Sequence, residues 1–145
     1  MIKKCLIIVL IFLLFCVSCN KNTSSLEIKI IDGTLTSEGI AIEIKNISKD
    51  LTFSFGDSYE LQKKTNNKWI NIEEKNKEGI HLEKQVILPN EIAKIEFSWE
   101  NRYGNLGKGE YRIVKHVYET KGREKKEINR IIYVNFCLLK TTPVF

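Results

Sequence analysis

The sequence predicts an all-β chain, a β-sandwich of about 7–9 antiparallel strands behind an export segment. Three observations carry this. Apolar and polar residues alternate with period two in one segment after another, as a half-buried strand requires. The segments recur about every ten residues between mainly polar turns. No stretch keeps an apolar spacing of three and four over the ~10–12 residues of an ordinary globular helix. The chain has 145 residues, 43% of them hydrophobic and 10% aromatic. That length suits one domain with a real core, and the composition is unlike that of a disordered chain.

The elements follow in order. Leu26, Ile28 and Ile30 alternate with Glu27 and Lys29, and Ile40, Ile42 and Ile44 alternate with Ala41, Glu43 and Lys45. Leu51 to Phe55 is a third strand, ended by Gly56-Asp57. Tyr59 to Thr65 is a fourth, ended by Asn66-Asn67, two residues that tolerate the positive φ of a hairpin turn. Trp69 to Ile72 returns, and residues 73–79 form a charged loop. Pro89-Asn90-Glu91 opens a strand carrying Ile92, Ile95, Phe97 and Trp99, in which Ala93 and Lys94 blur the alternation. A glycine-punctuated turn spans Arg102 to Gly109, then Tyr111 to Tyr118 alternates cleanly. After a solvated tip at Lys121–Lys126, a last strand runs from Ile128 to Leu138.

Residues 1–18 are a targeting segment. Met1-Ile2-Lys3-Lys4 supplies a positive start and Cys5 to Val17 an apolar run that stops short of the ~20 residues needed to span a bilayer. Its end, Cys16-Val17-Ser18-Cys19, resembles a bacterial lipobox, with Cys16 where Leu is usual. The resemblance implies that Cys19 is acylated and becomes the first residue after cleavage. An ordinary secretory signal or an uncleaved anchor are the alternatives. On the lipid reading, residues 19–25 are a flexible tether, residues 26–140 the sandwich, and the protein sits on the extracytoplasmic face of the cell membrane, held by its acyl chains.

Cysteine use follows. Of four cysteines, Cys5 and Cys16 leave with the signal and Cys19 takes the lipid, so Cys137 is left without an intrachain disulfide partner. In the apolar run from Ile131 to Leu139 it reads as a small buried hydrophobe. The net charge of +5 falls to +3 once Lys3 and Lys4 are removed, because Lys plus Arg drops from 23 to 21 against 18 acids. Lysines are spread over solvent-side strand positions and turns. No basic run with interleaved aromatics suggests nucleic acid.

The most specific architectural signal in the chain is Leu106-Gly107-Lys108-Gly109-Glu110-Tyr111-Arg112-Ile113. In immunoglobulin-like sandwiches a tyrosine near the start of strand F packs at a corner and bonds back to upstream backbone, which suits Tyr111. Ile113 stands where antibody domains carry their second disulfide cysteine, so this sandwich rests on packing alone. The run Phe55 to Lys64, Lys68-Trp69, Val86 to Pro89, Trp99, Tyr103 to Leu106 and Gly109 to Lys115 together resemble the bacterial immunoglobulin-like domain family of exported and lipid-anchored proteins, mostly Gram-positive. The resemblance covers residues 26–136. It implies an immunoglobulin-like sandwich and brings no catalytic residues with it. Residues 138–145 run past the expected end of the last strand.

Chemistry is sparse. His81 and His116 are the two histidines, too few for a histidine metal site without distant carboxylates. Ser54, Ser58 and Ser98 read as strand and turn residues, since no G-x-S-x-G turn occurs. Glu60, Glu96 and Glu100 are the one carboxylate group to test for glycosidase-like pairing. No phosphate loop, dinucleotide fingerprint or calcium loop is present, so no cofactor is expected. The leading expectation is a non-enzymatic, lipid-anchored module binding a protein or envelope partner. An inhibitor or regulatory ectodomain acting on an exported enzyme is the alternative, and a small hydrolase using glutamate pairs a third. Arg102, Tyr103, Tyr118 and Trp99 are the candidate contact residues, against the reading that Trp69, Trp99 and Tyr103 are core or corner residues.

Overall fold

The computed structural model describes residues 25–76, 83–122 and 126–139. The signal segment, Cys19, most of the tether, His81, residues 123–125 and the end of the chain from 140 lie outside them. Nine strands are described: β1 Leu26–Ile30, β2 Gly39–Asn46, β3 Leu51–Phe55, β4 Glu60–Thr65, β5 Lys68–Asn71, β6 Gln85–Ile87, β7 Ile92–Ser98, β8 Gly109–Lys121 and β9 Ile128–Leu138. One helical turn, α1, spans Glu100–Tyr103.

These strands form two antiparallel sheets. The smaller has the order β1-β2-β7, and the larger β5-β4-β8-β3-β6 with β9 also on β8. The pairing is register-specific because one face of each strand is apolar. Ile28 lies opposite Ile44, and Ile42 opposite Ile95, so one face of the small sheet is a layer of isoleucine. Tyr111 and Ile113 of β8 lie opposite Phe136 and Val134 of β9, and the buried Val117 and Ile132 extend the same facing layer. Between the layers Trp99 stacks on Phe136 at 5.2 Å and Tyr111 on the same ring at 5.6 Å. The sandwich of the sequence reading is the architecture observed.

The corner tyrosine is in place. Tyr111 is buried and its hydroxyl donates to the Gly107 carbonyl at 2.9 Å. The Asn66-Asn67 hairpin has φ of 49° and 61°, the left-handed pair of a two-residue turn.

Four expectations are corrected. Ile92 points to solvent, because Ala93, Ile95, Phe97 and Trp99 hold the inward parity of β7. β6 and α1 were not anticipated: β6 is too short to show a period, and α1 is a single turn closed by the Gly104 N–H on the Glu100 carbonyl. Cys137 is exposed rather than buried, since Val134 and Phe136 occupy the inward positions around it. Lys115 does not lie on a solvent-side position; it is on the core face of β8.

β8 is long enough to hold two strands on one edge. Leu51 to Ser54 of β3 pair with Lys121 to Tyr118, while Glu60 to Lys63 of β4 pair with Val114 to Tyr111, and β9 takes the other edge. Between the two pairings, the five residues 55–59 face only the three residues 115–117. The chain bulges there, at Gly56-Asp57-Ser58, where turn-forming residues interrupt the alternation. That bulge is what opens the sandwich beside β7.

Candidate functional site

The opening is a cleft of about 290 Å³. Its walls come from both sheets: the bulge Phe55 to Tyr59 and Gln85 of β6 on one side, Lys94 to Ser98 of β7 on the other, with Arg102 at one end and Lys115 at the base.

Lys115 exists at that base because of the bulge. In β8 the inward parity runs Tyr111, Ile113, Lys115, Val117, so the lysine occupies a core position and is 1% exposed. A buried ammonium without hydrogen-bond partners is prohibitively costly. Here the bulged carbonyls, which have no ladder partner, accept from it: Nζ donates to Gly56 at 2.6 Å and to Ser58 at 3.3 Å. Its charge also sits 5.1 Å from the centre of the Phe55 ring and 5.7 Å from that of Phe97. Burial pushes the ammonium down to about 8, and the nearby Asp57 charge pulls it part of the way back. At neutral pH it is therefore a cation held between the sheets.

Two aromatic residues join the walls. The Tyr59 hydroxyl donates to the Ser98 carbonyl at 2.8 Å, tying the bulge to the end of β7, and its ring meets Phe97 edge to face at 5.0 Å. Arg102 is gripped by Glu74 at 2.5 Å and lies 5.2 Å and 5.3 Å from the ring centres of Tyr59 and Tyr103. The hydrogen bond it donates to Glu74 holds the guanidinium above its ordinary range, against the opposing effect of burial. Burial likewise raises the Tyr103 phenol, with Arg102 opposing it. The arrangement is a pocket lined by charges of both signs: Lys94, Lys115 and Arg102 with Asp57 and Glu96 among backbone groups. It can orient a polar or extended ligand.

Of the candidate contact residues, the structure brings Arg102 to the cleft, and of the serines and glutamates singled out from the sequence it brings Ser58, Glu96 and Ser98. Trp99 and Tyr103 are core residues, with the Trp99 indole donating to the Ser37 carbonyl at 2.8 Å. Tyr118 is exposed on the outer face of the large sheet, near the Lys84 ammonium. Glu60, Glu96 and Glu100 are all exposed and fall on β4, β7 and α1; Glu96 alone lines the cleft. Ser58 lies in the bulge and Ser98 ends β7. His116 sits on the outward parity of β8, its Nδ1 3.0 Å from Asn129 Oδ1. Among the described residues, no group of three or more His, Cys, Asp or Glu could hold a metal ion, and no helix is long and apolar enough to cross a membrane.

The residue that sequence reasoning missed is Lys115. A signal for it was present: a charged residue in step with Tyr111, Ile113 and Val117 breaks the apolar face of an otherwise regular strand.

The profile of a family described as a bacterial Ig-like domain matches residues 20–129. No curated protein matches the chain. A crystal structure of a protein from Archaeoglobus fulgidus is similar over 81% of this chain and 100% of that one, at 15% identity and a TM-score of 0.33.

Proposed function

Because the chain belongs to the bacterial Ig-like domain family, we propose that it is a binding module without catalytic activity, tethered by an acylated Cys19 to the outer face of the cell membrane, and that the cleft beside β7 is its contact site. One observation carries this reading. The cleft is built around a buried cation, Lys115, where an apolar residue would pack at lower electrostatic cost. Its rim carries charges of both signs within reach of a ligand, the kind of surface on which charged and polar groups fix orientation and specificity. The tether reading is supported by the Cys16-Val17-Ser18-Cys19 sequence and by the position of β1, which begins at Leu26, leaving a short polar stretch between lipid and domain.

In-cell photo-crosslinking tests the proposal. A benzophenone amino acid replaces Gln85 on the cleft rim in one strain and Asn129 on the far edge strand in another. The proposal expects a discrete adduct from position 85 that is absent from position 129. An adduct from position 129 alone, or none from 85 in cells that make the protein normally, overturns it.

A further inference from the structure

β7 is the edge of the small sheet, with β2 its single neighbour among the described residues. Its hydrogen-bonding parity can be read directly. The Trp99 N–H donates to the Glu38 carbonyl of the β2 side at 2.8 Å, so the odd-numbered residues 97, 95 and 93 turn their backbone groups toward β2. The even-numbered residues turn theirs the other way, and the Ser98 carbonyl does so visibly, taking the Tyr59 hydroxyl at 2.8 Å. Ile92, Lys94 and Glu96 therefore present N–H and C=O groups along the cleft side of the edge. Natural edges of this kind are templates for another strand.

We infer that this edge takes up an extended polypeptide segment as an added antiparallel strand, and that the segment carries a base and an acid two residues apart with an apolar residue between. The inference rests on the cleft being the contact site. The register follows from parity and charge together. Only even-numbered residues of β7 can form close hydrogen-bonded pairs with the newcomer. Lys94 and Glu96 are exposed neighbours on the outer face. An antiparallel segment that sets an acid opposite Lys94 and a base opposite Glu96 gains two cross-strand ion pairs, and the reverse order gives two like-charge contacts. The residue between them lies opposite Ile95, on the inward side, above the floor formed by Phe55 and Lys115.

That floor belongs to the large sheet and continues beneath the edge through the bulge and Gln85. A second copy of the chain paired through β7 would bring its own large sheet into the same layer, so a free segment of a partner protein is favoured over self-association.

The test uses the full ¹⁵N-labelled chain in detergent micelles. The probe is a capped peptide, Thr-Val-Lys-Val-Glu-Val-Thr, compared with its charge-reversed counterpart in which Lys and Glu are exchanged. Amide exchange at Lys94 and Glu96 is expected to slow on adding the first peptide. The reversed peptide should bind about tenfold more weakly, and the preference should invert in the Lys94→Glu, Glu96→Lys protein. Equal affinity for the two peptides, or protection that falls on β9 instead, overturns the inference. So does slow exchange at Lys94 and Glu96 before any peptide is added, whether it depends on protein concentration, as for a second copy, or not, as for an edge filled from within the chain. If position 85 gives its adduct in cells while these amides ignore both peptides, the added strand is wrong and the contact site stands; if both fail, both readings fall.

Discussion

Replacing Lys115 with Met changes how stability depends on pH, and by an amount that the structure sets. The side chains are similar in length, so the substitution removes the charge while keeping most of the packing. In the folded chain the ammonium is pushed down to about 8, against an ordinary 10.5. Below pH 8 the lysine is protonated in both the folded and unfolded states, and the folded state bears the full cost of burying a charge. Between about 8 and 10.5 the folded state releases its proton while the unfolded chain keeps it, so stability rises with pH; above that window both states are neutral and the rise ends. At 1.36 kcal/mol per unit, the difference amounts to about 3 kcal/mol. Met cannot donate to the Gly56 and Ser58 carbonyls, a loss that shifts its whole curve down by a pH-independent amount. The quantity to read is therefore the stability difference between the two proteins, from urea unfolding of residues 20 onward at intervals from pH 7 to 10.5. Every other titration is common to both, so the difference should move by about 3 kcal/mol in favour of the native lysine as pH rises. A difference that stays flat to within about 1 kcal/mol would mean that the ammonium is hydrated and that the base of the cleft is not a dry site.

Tyr111→Phe should cost about 1 kcal/mol, the lower end for a lost hydrogen bond, because Gly107 is exposed and water can replace the phenol at its carbonyl. Tyr111→Ala should cost about 3–5 kcal/mol by emptying the space against Phe136, whereas Tyr118→Phe should leave the urea midpoint nearly unchanged. Asn46→Ala should cost about 3 kcal/mol, since the buried amide bonds the Leu51 and Ile87 carbonyls and accepts from both the backbone and the hydroxyl of Ser48. Cys19→Ala should abolish palmitate labelling and signal cleavage; labelling that persists would refute acylation at Cys19.

The strands were legible because each has one dry face, and a face shows in the sequence as period two. β1, β2 and β9 carry that period cleanly enough to be placed almost to the residue, while β8, read as Tyr111 to Tyr118, extends from Gly109 to Lys121. The Tyr111 corner was legible for a similar local reason, a glycine-rich turn directly before an aromatic that opens a strand. β7 was legible as a strand but not in its facing. Ile92 is apolar and outward, so parity had to be settled by Ile95, Phe97 and Trp99. The cleft was not legible at all. It arises from five residues facing three across β8, a mismatch of pairing between segments far apart in sequence. Gly56-Asp57 marks an interruption but does not say that the next strand resumes on the same neighbour. Lys115 stood in the apolar register throughout, yet its acceptors are bulge carbonyls that exist only once the sheet has formed.

We propose that this domain meets its partner through the cleft and the edge of β7 that faces away from β2. Hydrogen exchange of the chain in its own cell membranes, compared with the same chain purified in detergent, decides this. Native membranes should add protection at residues 94, 96 and 56–59 while β9 exchanges equally in both. Protection added along Ile128–Leu138 with none at the cleft would contradict it.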